Sequence, residues 1–77
     1  MMIEFHGTVN NHHVIIAKTM WQLKRLASRF ANNTFNVIDE MYVTIHDVNK
    51  SANIDRFKMT RINKVCPNNT IERGSWR

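Results

Sequence analysis

The sequence has few of the residues that build catalytic or cofactor-binding motifs. Its 77 residues include one cysteine, two glycines and one proline. The single cysteine, Cys66, excludes an internal disulfide framework, and two glycines are too few for a glycine-rich phosphate-binding loop. No apolar run approaches the roughly 18 residues of a membrane-spanning helix. Since no secretory leader pattern opens the sequence, we expect a cytoplasmic protein with no membrane contact.

Acidic residues are also few. Eleven Lys and Arg stand against six Asp and Glu, which gives a net charge of +5. Such an excess favours an anionic partner, either nucleic acid, a nucleoprotein or an acidic protein face. The positive charge is concentrated in residues 18–29 and 56–77, on either side of an acidic middle section. A chain of this length forms one domain with a small core, which leaves little room for an enclosed active site.

Residue patterning in the first half predicts two strands and a helix. Alternation over residues 2–9 and an apolar run over 14–17 predict a hairpin, with Asn10-Asn11 in the turn because asparagine tolerates positive φ. Gly7 predicts a bulge or a close backbone contact. Residues 19–32 have helical apolar spacing. Thr19 and Gln22 form a predicted capping box, and Asn32-Asn33 is expected to end the helix in a left-handed conformation.

The second half predicts two longer strands, at residues 34–47 and 56–65. In the first of these strands, the alternation of side chains places Met41, Val43 and Ile45 on the inward face. We expect a bulge at Asp39-Glu40, with both carboxylates at a solvated edge of the sheet. On the second, Phe57 and Met59 face inward, and Arg61-Ile62 break the alternation, which indicates a bulge or a sheet edge.

The resulting order, β-β-α-β-β, predicts a small two-layer α+β domain: an antiparallel sheet with one amphipathic helix packed on one face. We expect this domain to span residues 1–66. Residues 67–77 would be a basic C-terminal tail, which either adds a short edge strand around residues 70–72 or stays mobile. An exposed sheet edge would also permit a strand-paired homodimer.

Catalytic and metal sites are not indicated. Cys66 follows no activating helix N-terminus and has no glycine-rich loop beside it to supply an oxyanion hole. The histidines lack zinc-ligand spacing, although His6 and His46 could meet if their strands pair. We therefore predict a protein that is not an enzyme and that has no metal and no cofactor.

Basic residues interleaved with tryptophan are the candidate binding site. Guanidinium groups fork onto phosphates, and tryptophan stacks on bases or anchors protein interfaces. The alternatives are a solvated basic surface for the charges, core-edge packing for Trp21, and packing of the tail onto the sheet for Trp76. The candidate residues are Lys18, Trp21, Lys24, Arg25, Arg29, Arg56, Lys58, Arg61, Lys64, Arg73, Trp76 and Arg77.

The helix segment Thr19-Met20-Trp21-Gln22-Leu23-Lys24-Arg25-Leu26-Ala27-Ser28 resembles the helix start of a small phage-encoded anti-CRISPR family, the ninth of type I-F. The element order and a late tryptophan near basic residues resemble that family as well. The resemblance implies inhibition of a CRISPR surveillance complex through its crRNA-holding backbone subunits, with contacts on the sheet face and loops. The longer central strand, the Cys66-Pro67 break and the Asn-rich tail depart from the family pattern.

Two functions follow from these observations. The first is a small, basic, phage-type anti-defence protein that inhibits a host nucleic-acid-handling system in the cytoplasm of an infected bacterium, with a defence protein or ribonucleoprotein complex, a nuclease or a toxin as its target. The second is an accessory protein that binds RNA or DNA directly through the same basic residues. Since no base-reading motif is present, the second would rest on salt-sensitive phosphate contacts.

Overall fold

One helix covers one face of a four-stranded antiparallel sheet in the computed structural model, which describes residues 2–77. The strand order is β2-β1-β3-β4, and a separate two-stranded sheet pairs β5 with β6. This architecture confirms the predicted α+β fold. The elements are β1 (Ile3–Val9), β2 (His13–Ala17), α1 (Met20–Ala31), β3 (Ile38–Asp47), β4 (Ala52–Ile62), β5 (Lys64–Val65) and β6 (Ile71–Glu72).

The first hairpin and the helix start follow the sequence closely. Asn10 and Asn11 have φ values of 50° and 60°, the positive values expected in this turn. The Thr19 hydroxyl accepts a hydrogen bond from the Gln22 amide at 3.0 Å. The other half of the capping box is shifted by one residue, because the Gln22 side chain accepts from the amide of Lys18. The predicted left-handed helix end is wrong, since Asn32 has φ −67°.

The core lies between the helix and the sheet. Gly7 explains how closely the two layers approach: a Cβ atom there would lie 2.9 Å from the Met41 Sδ and 3.1 Å from the Leu23 Cδ1. Of the two predictions for Gly7, there is no bulge, and the close contact is made with side chains and not with another backbone segment. The buried hydrophobic residues are Val9, Ile15, Ala17, Leu23, Ala27, Ala31, Met41, Val43, Met59 and Trp76.

The β3-β4 hairpin corrects several predictions. β3 begins at Ile38 rather than at residue 34, and β4 begins at Ala52 rather than at residue 56. The register shift falls at Ile45/His46 and not at Asp39-Glu40. On both strands every second side chain faces the core. This alternation continues without a break to Asp39 and Arg61, which are directly opposite each other. Both are buried, with 0% and 1% of their surface exposed, so the expected solvated edge at Asp39 is wrong.

A buried polar network surrounds the Asp39 carboxylate. Arg61 donates to Asp39 Oδ2 from Nε at 3.0 Å and from a terminal nitrogen at 2.7 Å. Asn63 donates to the same oxygen at 2.7 Å, and Asn10 donates to Oδ1 at 3.0 Å. Within residues 2–77, every buried side-chain nitrogen and oxygen atom has a hydrogen-bond partner. The network therefore joins the first turn to both strands of the second hairpin.

The C-terminal residues pack against the domain. Trp76 is buried in the core, its ring lies 5.2 Å from the guanidinium carbon of Arg61, and its Nε1 donates to the Ser28 hydroxyl at 3.0 Å. The backbone of Arg77 exchanges two hydrogen bonds with Thr60 on the outer side of β4. β6 forms at Ile71–Glu72, within the stretch where a short strand is expected, and it pairs with β5. Residues 67–77 thus hold together the helix, the network and β4.

Candidate anion-binding surface

The outer face of α1 carries a basic surface with an exposed aromatic ring. The helix contains no acidic residue. Trp21 is 70% exposed, and the guanidinium carbon of Arg25 lies 5.4 Å from its ring centroid. Arg29 is exposed one turn further along, and Lys24 is half-buried beside them. We call Trp21, Lys24, Arg25 and Arg29 the helix patch.

A shallow groove runs between the helix patch and the C-terminal residues. Trp21, Lys24, Arg25 and Ser28 line it on the helix side, and residues 74–76 line it on the other, around a volume of about 390 Å³. A second depression of about 410 Å³ shares Arg25 and Ser28 with the groove and extends to Arg29. The hydrogen bond from Trp76 to Ser28 fixes the distance between the two walls. The helix patch therefore borders a continuous concave surface that is open to solvent.

Arg61 and Trp76 lie inside the molecule, so the expectation that Arg61 belongs to an exposed basic patch is wrong, whereas Trp76 takes the packed position that was the alternative for it. Arg61 faces the Asp39 carboxylate at 2.7 Å, and Trp76 covers the Arg61 guanidinium. Burial, the ion pair with Asp39 and the ring of Trp76 therefore keep this guanidinium away from an external partner. The sequence contained a signal for this arrangement. When the inward-facing positions of β3 and β4 are continued by two residues, an aspartate and an arginine lie directly opposite each other.

Arg73, another of the candidate residues, contacts the C-terminal end of α1. Its guanidinium donates to the carbonyl oxygens of Asn32 at 3.1 Å and Thr34 at 2.8 Å, with a longer contact of 3.5 Å to Ala31. The last carbonyls of a helix have no partner within the helix and carry partial negative charge. Arg73 therefore pairs with the carbonyl groups at the helix end, which a left-handed Asn32 was expected to cap.

We expect Arg73→Gln to lower the free energy of unfolding by about 1–3 kcal/mol, because hydrogen bonds from a charged donor are lost at the helix end. Urea denaturation followed by circular dichroism measures this loss. Arg25→Gln, on the exposed face in the middle of the same helix, is the matched control and should change the stability by less than about 0.5 kcal/mol. Equal effects of the two substitutions would contradict the capping role.

The remaining basic residues are spread over other surfaces. Arg56 and Lys58 lie on the sheet face opposite the helix, which we call the open face. Lys58 Nζ contacts Glu40 at 3.1 Å, and this hydrogen bond and the charge of Glu40 raise the pKa of Lys58. Part of its charge is thus offset on the protein itself. Lys18 precedes the helix cap, Lys64 lies in β5, and Arg77 lies beside β4; all three are exposed.

The histidines meet as their strand pairing predicts. Glu4 on β1 is opposite His46 on β3, and the rings of His6 and His46 lie 5.4 Å apart on the open face. His6 Nε2 lies 3.2 Å from the Glu4 carboxylate, and His46 Nδ1 lies 3.0 Å from the Asn53 side-chain oxygen. Over residues 2–77, no three His, Cys, Asp or Glu side chains are arranged to hold a metal ion.

No helix in the described part of the chain is long and apolar enough to span a membrane. Comparison with known proteins gives no match to a family model, to a curated protein or to a solved structure. The candidate site therefore has to be interpreted from its own geometry.

Proposed function

We propose that this protein is a non-catalytic binding protein that inhibits a host nucleic-acid-handling complex by placing its helix patch against an anionic surface of that complex. The observation that carries the proposal is the stacked pair Trp21 and Arg25, exposed beside Lys24 and Arg29 on a helix without acidic residues. Stacking on the ring orients the guanidinium, so less side-chain freedom is lost when it binds phosphate or carboxylate.

The helix patch suits a flat anionic partner better than a small ligand. Its side chains border shallow, solvent-open depressions, whereas small-molecule sites enclose most of the ligand surface. Occupying a phosphate-facing or acidic surface would block that surface to its normal nucleic acid, which is inhibition without chemistry. The resemblance of the helix segment to an anti-CRISPR family supports the anti-defence setting.

Direct binding of RNA or DNA is the second candidate, favoured by the exposure of the Trp21 ring. A base stacked on an exposed aromatic side chain contributes about 1–3 kcal/mol. The groove beside Trp21 would let a single strand follow Lys24 and Arg25 with its phosphates. Such binding would be weak in sequence preference and steep in its salt dependence.

Removing charge from the helix patch tests the shared part of both candidates. We expect the double variant Arg25→Gln/Arg29→Gln to bind its partner at least about tenfold more weakly, because a charge-assisted hydrogen bond contributes about 1.5–3 kcal/mol. The matched control is Arg56→Gln/Lys64→Gln, which removes the same charge from exposed positions off the helix. Equal losses of affinity in the two double variants would show that the total charge of the protein, and not the helix patch, determines binding.

Two measurements separate the candidates. Affinity capture from nuclease-treated bacterial lysate, with wild type and the two double variants as bait, tests for a protein target. Electrophoretic shift of a labelled single-stranded oligonucleotide at low and moderate salt tests direct binding. Capture that survives nuclease, with loss in the helix variant alone, supports the inhibitor. An oligonucleotide shift together with nuclease-sensitive capture would replace it by the second candidate.

A further inference from the structure

The β2 edge of the sheet is open along its whole length. β2 pairs with β1 on one side and has no strand on the other. In an antiparallel pair, alternate backbone N–H and C=O groups of an edge strand point away from the sheet and are free to pair with another strand. Over Phe5–Val9 the β1-β2 register is regular, without a bulge that would twist the edge away.

The opposite edge is protected in three ways. The Arg77 backbone pairs with Thr60, a register shift interrupts the β3-β4 pairing at Ile45/His46, and Arg56 and Lys58 place charge on the strand. These are the devices by which natural sheets block edge-to-edge association. The sequence of β2, His-Val-Ile-Ile-Ala, contains no Lys, Arg, Asp, Glu or Pro.

β2 also exposes apolar side chains. Val14 is 72% exposed and Ile16 is 55% exposed, both on the open face. Apolar surface continues around the edge to the helix side, where Phe30 stacks on His13 with ring centroids 4.6 Å apart and remains partly exposed. A partner that pairs with β2 would therefore cover apolar surface on both faces of the sheet as well as backbone groups.

The strand is complementary to itself. If two copies of β2 run antiparallel with Ile15 opposite Ile15 of the second copy, Val14 of each is opposite Ile16 of the other. Directly opposed β-branched side chains are favourable cross-strand pairs. No charged residue of β2 meets a like charge in this register, although each chain carries +5. Residues 1–17 contain a single charged residue, Glu4. Electrostatic repulsion between two copies is therefore weakest when they meet at this end of the molecule.

We propose that two copies of this chain associate through antiparallel pairing of their β2 strands, giving one continuous eight-stranded sheet about a twofold axis. Strands paired in one sheet keep the same face toward the same side. Both helices therefore lie on one face of the joined sheet, and both helix patches point to the same side. The dimer presents two basic surfaces to a single extended partner, which strengthens binding through effective concentration.

Light scattering coupled to gel filtration, with sedimentation over a dilution series, tests this proposal. Wild type is expected near twice the 9.1 kDa chain mass at about 200 µM, falling toward one chain on dilution. Val14→Lys puts a lysine opposite Ile16 of the other copy and diagonal to the second lysine. It removes an apolar cross-strand pair and adds like charge where the strands meet, so it should raise the dissociation constant at least about tenfold. The side chain is exposed in the single chain, so the variant keeps its fold, which circular dichroism verifies.

Ile62→Lys is the matched control, because Ile62 is 69% exposed at β4 and the change in charge is the same. Dissociation by Val14→Lys but not by Ile62→Lys supports pairing through β2. A wild type that stays a single chain at 200 µM overturns the proposal, as does a dimer that responds equally to both substitutions. Neither measurement involves the anionic partner, so failure here leaves the proposed function to its own test.

Discussion

Replacing Asp39 by alanine is expected to lower the free energy of unfolding by about 3–5 kcal/mol, because it leaves the buried Arg61 guanidinium without its counter-charge. A small domain has only about 5–15 kcal/mol of stability in total, so the variant would lose a large fraction of it. Circular dichroism and urea denaturation measure this directly. The loss exceeds that of an ordinary surface salt bridge because Asp39 is fully buried and accepts from four different side chains, the fourth being Asn36 at 3.5 Å.

The neighbouring residue provides the control. Glu40 also forms an ion pair on β3, but its partner Lys58 is exposed on the open face, where solvent screens the pair and leaves it a small contribution to stability. Glu40→Ala should therefore leave the unfolding midpoint almost unchanged. A loss at Glu40 as large as the loss at Asp39 would show that burial of the network does not determine its contribution.

The same network predicts how stability depends on pH. Burial alone raises the pKa of Asp39, but hydrogen bonds from Asn63, Arg61 and Asn10 and the charge of Arg61 outweigh it and lower the pKa below its usual value. A carboxyl whose pKa is lower in the folded state stabilises the fold above its unfolded pKa of about 3.9 and loses that contribution as the pH falls through the folded value. Acid unfolding of wild type should therefore begin below about pH 4, with a weaker pH dependence in Asp39→Asn.

Trp76→Ala is expected to lower the free energy of unfolding by about 3–5 kcal/mol, as large-to-small substitutions at buried aromatic positions do. The ring fills the space between helix and sheet, covers Arg61 and holds Ser28 through its Nε1. Its loss opens a cavity and exposes one side of the buried ion pair to water. Thermal and urea unfolding measure the effect, and Trp76→Phe, which keeps the ring but not the hydrogen bond, should lose less.

Trp21 supplies the matched control because it is the second tryptophan and lies across the same groove. It is largely exposed, so Trp21→Ala should change stability by less than about 0.5 kcal/mol. The affinity for the partner is expected to respond in the opposite order, so that Trp21→Ala weakens binding more than Trp76→Ala does. Binding is measured under conditions in which the chain is folded. If the two alanine variants were equally stable, the division into a structural and a surface tryptophan would be wrong.

The sequence correctly predicted the features that arise from residues close together in the chain. The Asn10-Asn11 turn, the Thr19 cap and the inward sides of β3 and β4 depend on residues within a few positions of one another. Strand starts were less well predicted. Residues 34–37 precede β3, although the predicted strand began at residue 34, and β4 includes residues 52–55, which the prediction left out of the strand.

The candidate site divides in the same way. Trp21, Lys24, Arg25 and Arg29 share a surface because helical spacing alone brings them together. Arg61, Arg73 and Trp76 were named as candidate binding residues from their residue types, and their partners in the structure lie 22 to 48 positions away in the chain. Residue type sets a strong expectation of exposure for arginine, and only the strand register, which places Asp39 opposite Arg61, overrides it.

The central position of β1 in the sheet also affects how the chain can fold. The β1-β2 and β3-β4 hairpins each pair neighbouring segments, whereas β1 and β3 join across the intervening helix, as in the pairing of Val9 with Met41. Contacts between distant segments must close a long loop before they gain any stabilisation, and they slow folding. The two hairpins can thus form early, and their association along β1 and β3 sets the rate at which the native sheet is completed.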